Sequence, residues 1–244
     1  MDRYRPKADI AILAMRNGKF PREWLKLTYY RPKLILDGLR RIERSGLLDK
    51  LPYKTAALRT NKLKPYLEGR QAALFCHGMS ARIGQEVSFA LFESSDYDIV
   101  AKFETGDVTS MVPVQLKELP PSNINPNVQL QDILDKLEER LKDSKDLVVA
   151  IHINRDLNEL CPAKLRLPKA LGEIWLYGAK DHTQQAWYLI GDLLKDPNLV
   201  SEFGYPSSRI YSANWKQNVL GRRLGNIALS FGPLSMYRKE KKTG

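Results

Sequence analysis

Four apolar runs rich in β-branched and aromatic residues dominate the middle of the chain, and an amphipathic helix divides them into two pairs. The runs are YDIVAKFE (97–104), MVPVQLKEL (111–119), LVVAIHI (147–153) and EIWLYG (173–178). Each is short enough to be a strand, and the first pair is separated by the turn signal Thr105-Gly106-Asp107. Pro120-Pro121 closes the second run. Beyond the polar loop SNINPN, Leu130, Ile133, Leu134, Leu137 and Leu141 fall on one helical face, with Asp132, Asp135, Glu138 and Glu139 mainly on the other. Upstream, Ser80 is placed to cap a helix over 80–92, on which Ile83, Val87 and Leu91 recur at helical spacing. Residues 71–78 (QAALFCHG) suit either a short strand or a helix. The order helix, strand, strand, helix, strand, strand implies an α/β fold, with a mixed β-sheet flanked by helices.

The flanks differ from this core in charge. Residues 1–70 carry 18 Lys/Arg against 7 Asp/Glu, residues 71–208 carry 13 against 20, and residues 209–244 carry 8 against 1. Two basic ends therefore bracket a mildly acidic middle. A basic surface attracts polyanions through counterion release, and nucleic acid is the commonest such partner. The N-terminal part reads as helical, over 8–15 and over 32–45. In the second of these, Leu34, Leu36, Leu39 and Ile42 supply apolar positions, while Arg40, Arg41 and Arg44 form a basic set suited to nucleic-acid binding. Pro32 and Gly46 mark its start and stop. The string LILDGLRRIERSGLL is similar to the recognition-helix end of winged-helix domains; an amphipathic helix with a solvated arginine face is the simpler alternative. The expected organisation is a basic helical region over 1–70, a core over 71–180, and a helical extension with a basic tail over 181–244.

Several chemistries find no support. There is no GxxxxGK phosphate loop for nucleotide hydrolysis. His77, His152 and His182 have no partner at zinc-ligand spacing, and Cys76 and Cys161 form no metal or disulfide pattern, so buried thiols are expected. No apolar run is long enough to span a bilayer, and the N-terminal stretch lacks the layout of a secretory signal. The expectation is a soluble, intracellular and cytoplasmic protein without a membrane partner.

One constellation points to a reaction. Gln115 and Lys117 are two apart in a strand and share a face, and Asp98 lies on the preceding strand. Asp96, two before Asp98, is an alternative on the same face. With Glu86 just upstream, in GQEVSFALF, these residues resemble the PD-(D/E)XK nuclease superfamily over roughly 75–155. There a helix supplies an acidic residue and the next strands supply an Asp, then an acidic residue and a Lys. An amphipathic helix and a buried strand follow. The resemblance implies a restriction-endonuclease-like core and a metal-dependent endonuclease that cuts DNA. Asp98, Gln115 and Glu86 would be ligands of Mg²⁺, with Mn²⁺ as a substitute, and Lys117 would orient water or stabilise developing charge. Asp98, Gln115, Lys117 and Glu86 are thus the implied catalytic set, DNA the implied partner, and a homodimer compatible with cutting two strands. Gln115 departs from the usual Glu or Asp, which leaves a metal less well neutralised. Two alternatives stand beside this reading: a nuclease-fold protein that binds nucleic acid without cutting it, and a protein-interaction or regulatory module.

Overall fold

The computed structural model describes residues 20–206, apart from 93, 142 and 156–160. The expected helix over 8–15 and the basic C-terminal tail lie outside the described residues. The described chain divides into two units, one built from residues 20–36 and 68–205, the other containing residues 37–67.

The first unit is organised around a seven-stranded sheet whose strands lie in sequence order. The strands are β1 (Ser88–Leu91), β2 (Ile99–Thr105), β3 (Val108–Leu119), β4 (Ser144–Ile153), β5 (Leu171–Ala179), β6 (Ala186–Ile190) and β7 (Val200–Gly204). β1, β2 and β3 form an antiparallel meander, β4 and β5 run parallel to β3, and β6 and β7 are antiparallel again. Gly106 takes a positive φ of 59° in the expected turn, closing β2 and β3 at the pair Thr105↔Val108. Pro113 is tolerated in central β3 because its missing N–H would face β4, whose pairing begins only at Val114.

Among the described residues there are four α-helices, of which the last two cover the faces of the sheet. We number them α1 (Pro32–Arg44), α2 (Tyr53–Ala56), α3 (Lys64–Ile83) and α4 (Leu130–Arg140). On one face Ala72, Phe75, Cys76 and Met79 of α3 pack among Phe89, Ile99, Ala101, Val114, Leu116, Val148 and Tyr177 of the strands. On the other, Leu130, Leu134 and Leu137 of α4 pack with Leu119, Val149, Ile151, Ile174 and Leu176. The apolar residues of β3 and β4 thus alternate between two buried faces, as a sheet covered on both sides requires. The α/β class, mixed sheet and flanking helices agree with the sequence reading.

Three expectations are corrected. The helix expected over 80–92 does not form. Ser80 instead lies inside α3, where its hydroxyl donates to the Cys76 carbonyl at 2.6 Å and accepts from the Val87 N–H at 2.9 Å. Gly84, at φ 71°, ends the helical path, a conformation that glycine adopts at no steric cost. The chain then enters β1, which Tyr30 flanks through paired hydrogen bonds with Phe89. Second, the stretch expected as a helical extension from residue 181 supplies β6 and β7 in its described part. Trp187 and Leu189, two apart on β6, and Phe203 of β7 face the core there. Third, Cys76 is buried as expected, but Cys161 is exposed. Burial holds the Cys76 thiol well above its ordinary pKa, as loss of water disfavours the thiolate.

Candidate metal and phosphodiester site

β3 presents Val114 and Leu116 to the α3 face and Gln115 and Lys117 to the α4 face. The pair Ile99↔Val114 is the last of the β2–β3 ladder, and one further step places Asp98 opposite Gln115. There β2 leaves regular pairing. The Asp98 N–H donates to the Val114 carbonyl at 3.0 Å. Its carboxylate Oδ2 accepts the Leu116 N–H at 2.7 Å. Asp98 therefore occupies the space the missing strand would fill, and its carboxylate is bonded to the residue between Gln115 and Lys117. The structure brings Asp98, Gln115 and Lys117 into one neighbourhood.

The turn before Asp98 is tightly built. The Ser94 hydroxyl accepts the N–H groups of Asp96 and Tyr97, at 3.1 and 3.0 Å, and donates to the Tyr97 carbonyl. The Tyr97 ring stacks on Phe92 with centroids 5.4 Å apart, and its hydroxyl accepts the Trp24 indole N–H at 3.0 Å. Burial raises the Tyr97 pKa, against the opposing pull of the Trp24 hydrogen bond. Arg140, the last residue of α4, donates to the Ser95 carbonyl. Sequence reasoning singled out neither Arg140 nor Tyr97. Asp96, the alternative ligand, is exposed on this turn.

Gln115 is the unusual member. It is 3% exposed, and its Oε1 has no hydrogen-bond partner among the described residues. An unpaired buried carbonyl oxygen costs about 1–3 kcal/mol, so the position demands an explanation. Its amide oxygen and the Asp98 carboxylate are both of the donor type that a hard divalent cation takes. Such ions prefer oxygen donors, and Mg²⁺ commonly takes only one or two protein ligands and keeps several waters. The donor set is sparse: among the described residues no group of three or more His, Cys, Asp or Glu is placed to hold a metal.

Glu86 is not brought to this site. The helix that was to carry it ends before it. Ser88 pairs with Lys102, so Glu86 lies beyond the far end of β2 from Asp98. Along a strand that separation is roughly 20 Å. There Glu86 Oε2 accepts from Arg31 Nε at 2.9 Å and pairs with its Nη2 at 2.8 Å, an exposed ion pair that raises the Arg31 pKa.

The other polar side chains of these elements have local roles. Gln131 is held on both sides of its amide, donating to Asp135 Oδ1 at 2.7 Å and accepting the Arg166 N–H at 3.0 Å. Gln129 caps α4 in a reciprocal box with Asp132. Glu118 points to the face opposite Lys117 and accepts from the Asn154 amide at 2.8 Å. His152 lies 4.0 Å from Glu118 and stacks between Tyr177 and Trp187 in the core, at centroid distances of 5.1 and 5.8 Å. His77 meets the Gly204 carbonyl at 3.1 Å. On α1, Arg41 and Arg44 are exposed, whereas Arg40 is mostly buried and paired with Glu43 at 3.1 Å.

Among the described residues no helix is long and apolar enough to cross a membrane. No family model, no curated protein and no solved structure matches the chain.

Proposed function

We propose that the chain is a metal-dependent endonuclease that hydrolyses DNA phosphodiester bonds at Asp98, Gln115 and Lys117. The observation that carries this reading is the buried, unpartnered Gln115 Oε1, in the residue next to Leu116, whose N–H binds the Asp98 carboxylate. It is supported by the order α3, β1, β2, β3, α4, β4, with Asp98 just before β2 and Gln115 and Lys117 on β3, which is similar to the order expected of the PD-(D/E)XK nucleases.

Asp98 and Gln115 would hold Mg²⁺, or Mn²⁺ in its place. Such an ion, when bound, lowers the pKa of coordinated water and offsets charge on a scissile phosphate. Asp98 supplies the negative charge of the site, and its bond to the Leu116 N–H fixes the carboxylate at the strand edge. Gln115 supplies a neutral oxygen, so it orients more than it neutralises. Lys117, on the same strand face as Gln115, would orient the attacking water or stabilise charge developing on the phosphate oxygens. Glu86 has no part in this site. The exposed Arg41 and Arg44 are suited to phosphate contacts that position a duplex without reading its sequence.

A second reading is favoured by one observation: the site offers a single carboxylate, with Gln where the related nucleases more often have Glu or Asp. A weakly held metal would leave a nuclease-fold protein that binds DNA without cutting it. Incubation with linear, supercoiled, single-stranded and branched DNA separates the two, with Mg²⁺, Mn²⁺ or a chelator. Chelator-sensitive cleavage abolished in Asp98→Ala and Lys117→Ala is the expected result. Cleavage that persists in both variants sinks the proposed site, and binding without cleavage under every condition favours the silent binder.

A further inference from the structure

We infer that Arg140 grips a backbone phosphate of the DNA strand at the rim of the Asp98 site, which rests on the function proposed above. Arg140 is exposed at the C-terminus of α4, on the sheet face that also carries Gln115 and Lys117. Its guanidinium is anchored, yet not to a carboxylate. Nη2 donates to the Ser95 carbonyl, and among the described residues this is the hydrogen bond it makes. Three other arginines of the described chain are already committed. Arg31 pairs with Glu86 and Arg166 with Asp135. Arg155 spends its donors on the carbonyls of Pro120, Asn125 and Val128.

A guanidinium carries five donors in a rigid fork that matches phosphate oxygens. One bond to a backbone carbonyl orients the fork without neutralising it, so most of its donors and its full charge stay available. Ser95 is three residues from Asp98, which limits their Cα separation to about 10 Å. The intervening turn is fixed by the Ser94 hydroxyl and by the Trp24–Tyr97–Phe92 aromatic contacts. The cation is therefore held at a set distance from the carboxylate, close enough to meet a phosphate neighbouring the one at Asp98. Glu138 and Glu139 precede it on exposed positions of α4 and repel a polyanion. That restricts the contact to Arg140 and to a single phosphate.

The test is the salt dependence of binding to a labelled DNA duplex in Ca²⁺, followed by fluorescence anisotropy, for wild type, Arg140→Gln and Arg140→Lys. Mn²⁺ affinity is measured by calorimetry on the same proteins, and thermal melts confirm that each is folded. Loss of one phosphate contact is expected to lower the salt slope by about 1 and to weaken binding about 8-fold at 0.1 M salt. Arg140→Lys, which keeps the charge, is expected to stay near wild type, and all three proteins to bind Mn²⁺ alike. Equal affinity and slope for wild type and Arg140→Gln overturn the inference. So does a parallel loss of Mn²⁺ affinity, which would make Arg140 a support for the Asp98 turn. A wild type that binds no Mn²⁺ but loses DNA affinity and slope on Arg140→Gln sinks the nuclease reading and leaves the phosphate contact standing.

Discussion

Replacing Gln115 with Glu puts the structural logic of the site under the most pressure. The side chain is 3% exposed and sits one ladder step beyond Ile99↔Val114, opposite Asp98. Directly opposed Cβ atoms are about 5 Å apart. Two carboxylates at that separation repel by about 3 kcal/mol at an effective dielectric constant of 20. At about 1.4 kcal/mol per pH unit, the introduced carboxyl should titrate near pH 6.5 in the fold, against about 4.3 when unfolded. A folded-state pKa raised in this way makes the penalty vanish below pH 4. It grows between those two values and is complete by pH 8. Without metal, Gln115→Glu should therefore match wild type at pH 4 and be about 3 kcal/mol less stable at pH 8. A divalent cation at a hundred times its Kd returns about 2.7 kcal/mol, and the added carboxylate should tighten its binding. Urea unfolding at the two pH values, with Mn²⁺ and with chelator, reads all three effects. A variant whose stability responds neither to pH nor to Mn²⁺ would refute the placement of Gln115 beside Asp98 at a metal site.

Other expectations follow from the packing. Leu134 is fully buried on the α4 face, so Leu134→Ala should cost about 2–5 kcal/mol in urea unfolding, and no loss would mean that α4 is not docked as described. A Cβ on Gly78 would lie 2.7 Å from the Phe203 ring, so Gly78→Ala should cost about 1–3 kcal/mol, with recovery when Phe203→Leu is added. Burial pushes the Tyr29 phenol up to about 12, so this group should remain protonated in the folded protein at pH 11. Its contribution to stability is full below pH 10 and falls as pH rises toward 12. Comparison of ultraviolet phenolate titrations of wild type and Tyr29→Phe checks this.

The sheet was legible where one strand carried a strong local signal. β2, β3 and β4 announced themselves through β-branched runs and a Gly-containing turn, and α4 through leucines that recur on one face. The shared face of Gln115 and Lys117 was legible for the same reason, a two-residue period along β3, and the Thr105-Gly106-Asp107 turn sets the register that runs to Ile99↔Val114, next to Asp98. Helix α3 was ambiguous, because Ala72, Ala73, Leu74, Phe75 and Cys76 are all buried and leave no polar face to reveal the helical period. Ser80 misled, since a serine can bond back to the preceding turn as readily as it caps the next one, and here it does the former. Glu86 followed that error out of the site. β6 and β7 were hidden by their length, five residues each, with pairings that only the whole sheet supplies. Arg140 drew no attention because its partner is a backbone carbonyl 45 positions away, which no local pattern encodes.

The most direct measurement is the initial rate of nicking of supercoiled DNA as a function of Mn²⁺ concentration, for wild type and Asp98→Ala side by side. If Asp98 and Gln115 hold the cation that drives hydrolysis, wild type shows a saturable rise with metal and Asp98→Ala stays at the level of the chelator control. Equal rates from the two proteins across the titration, or a wild-type rate that ignores the metal, would contradict the assignment.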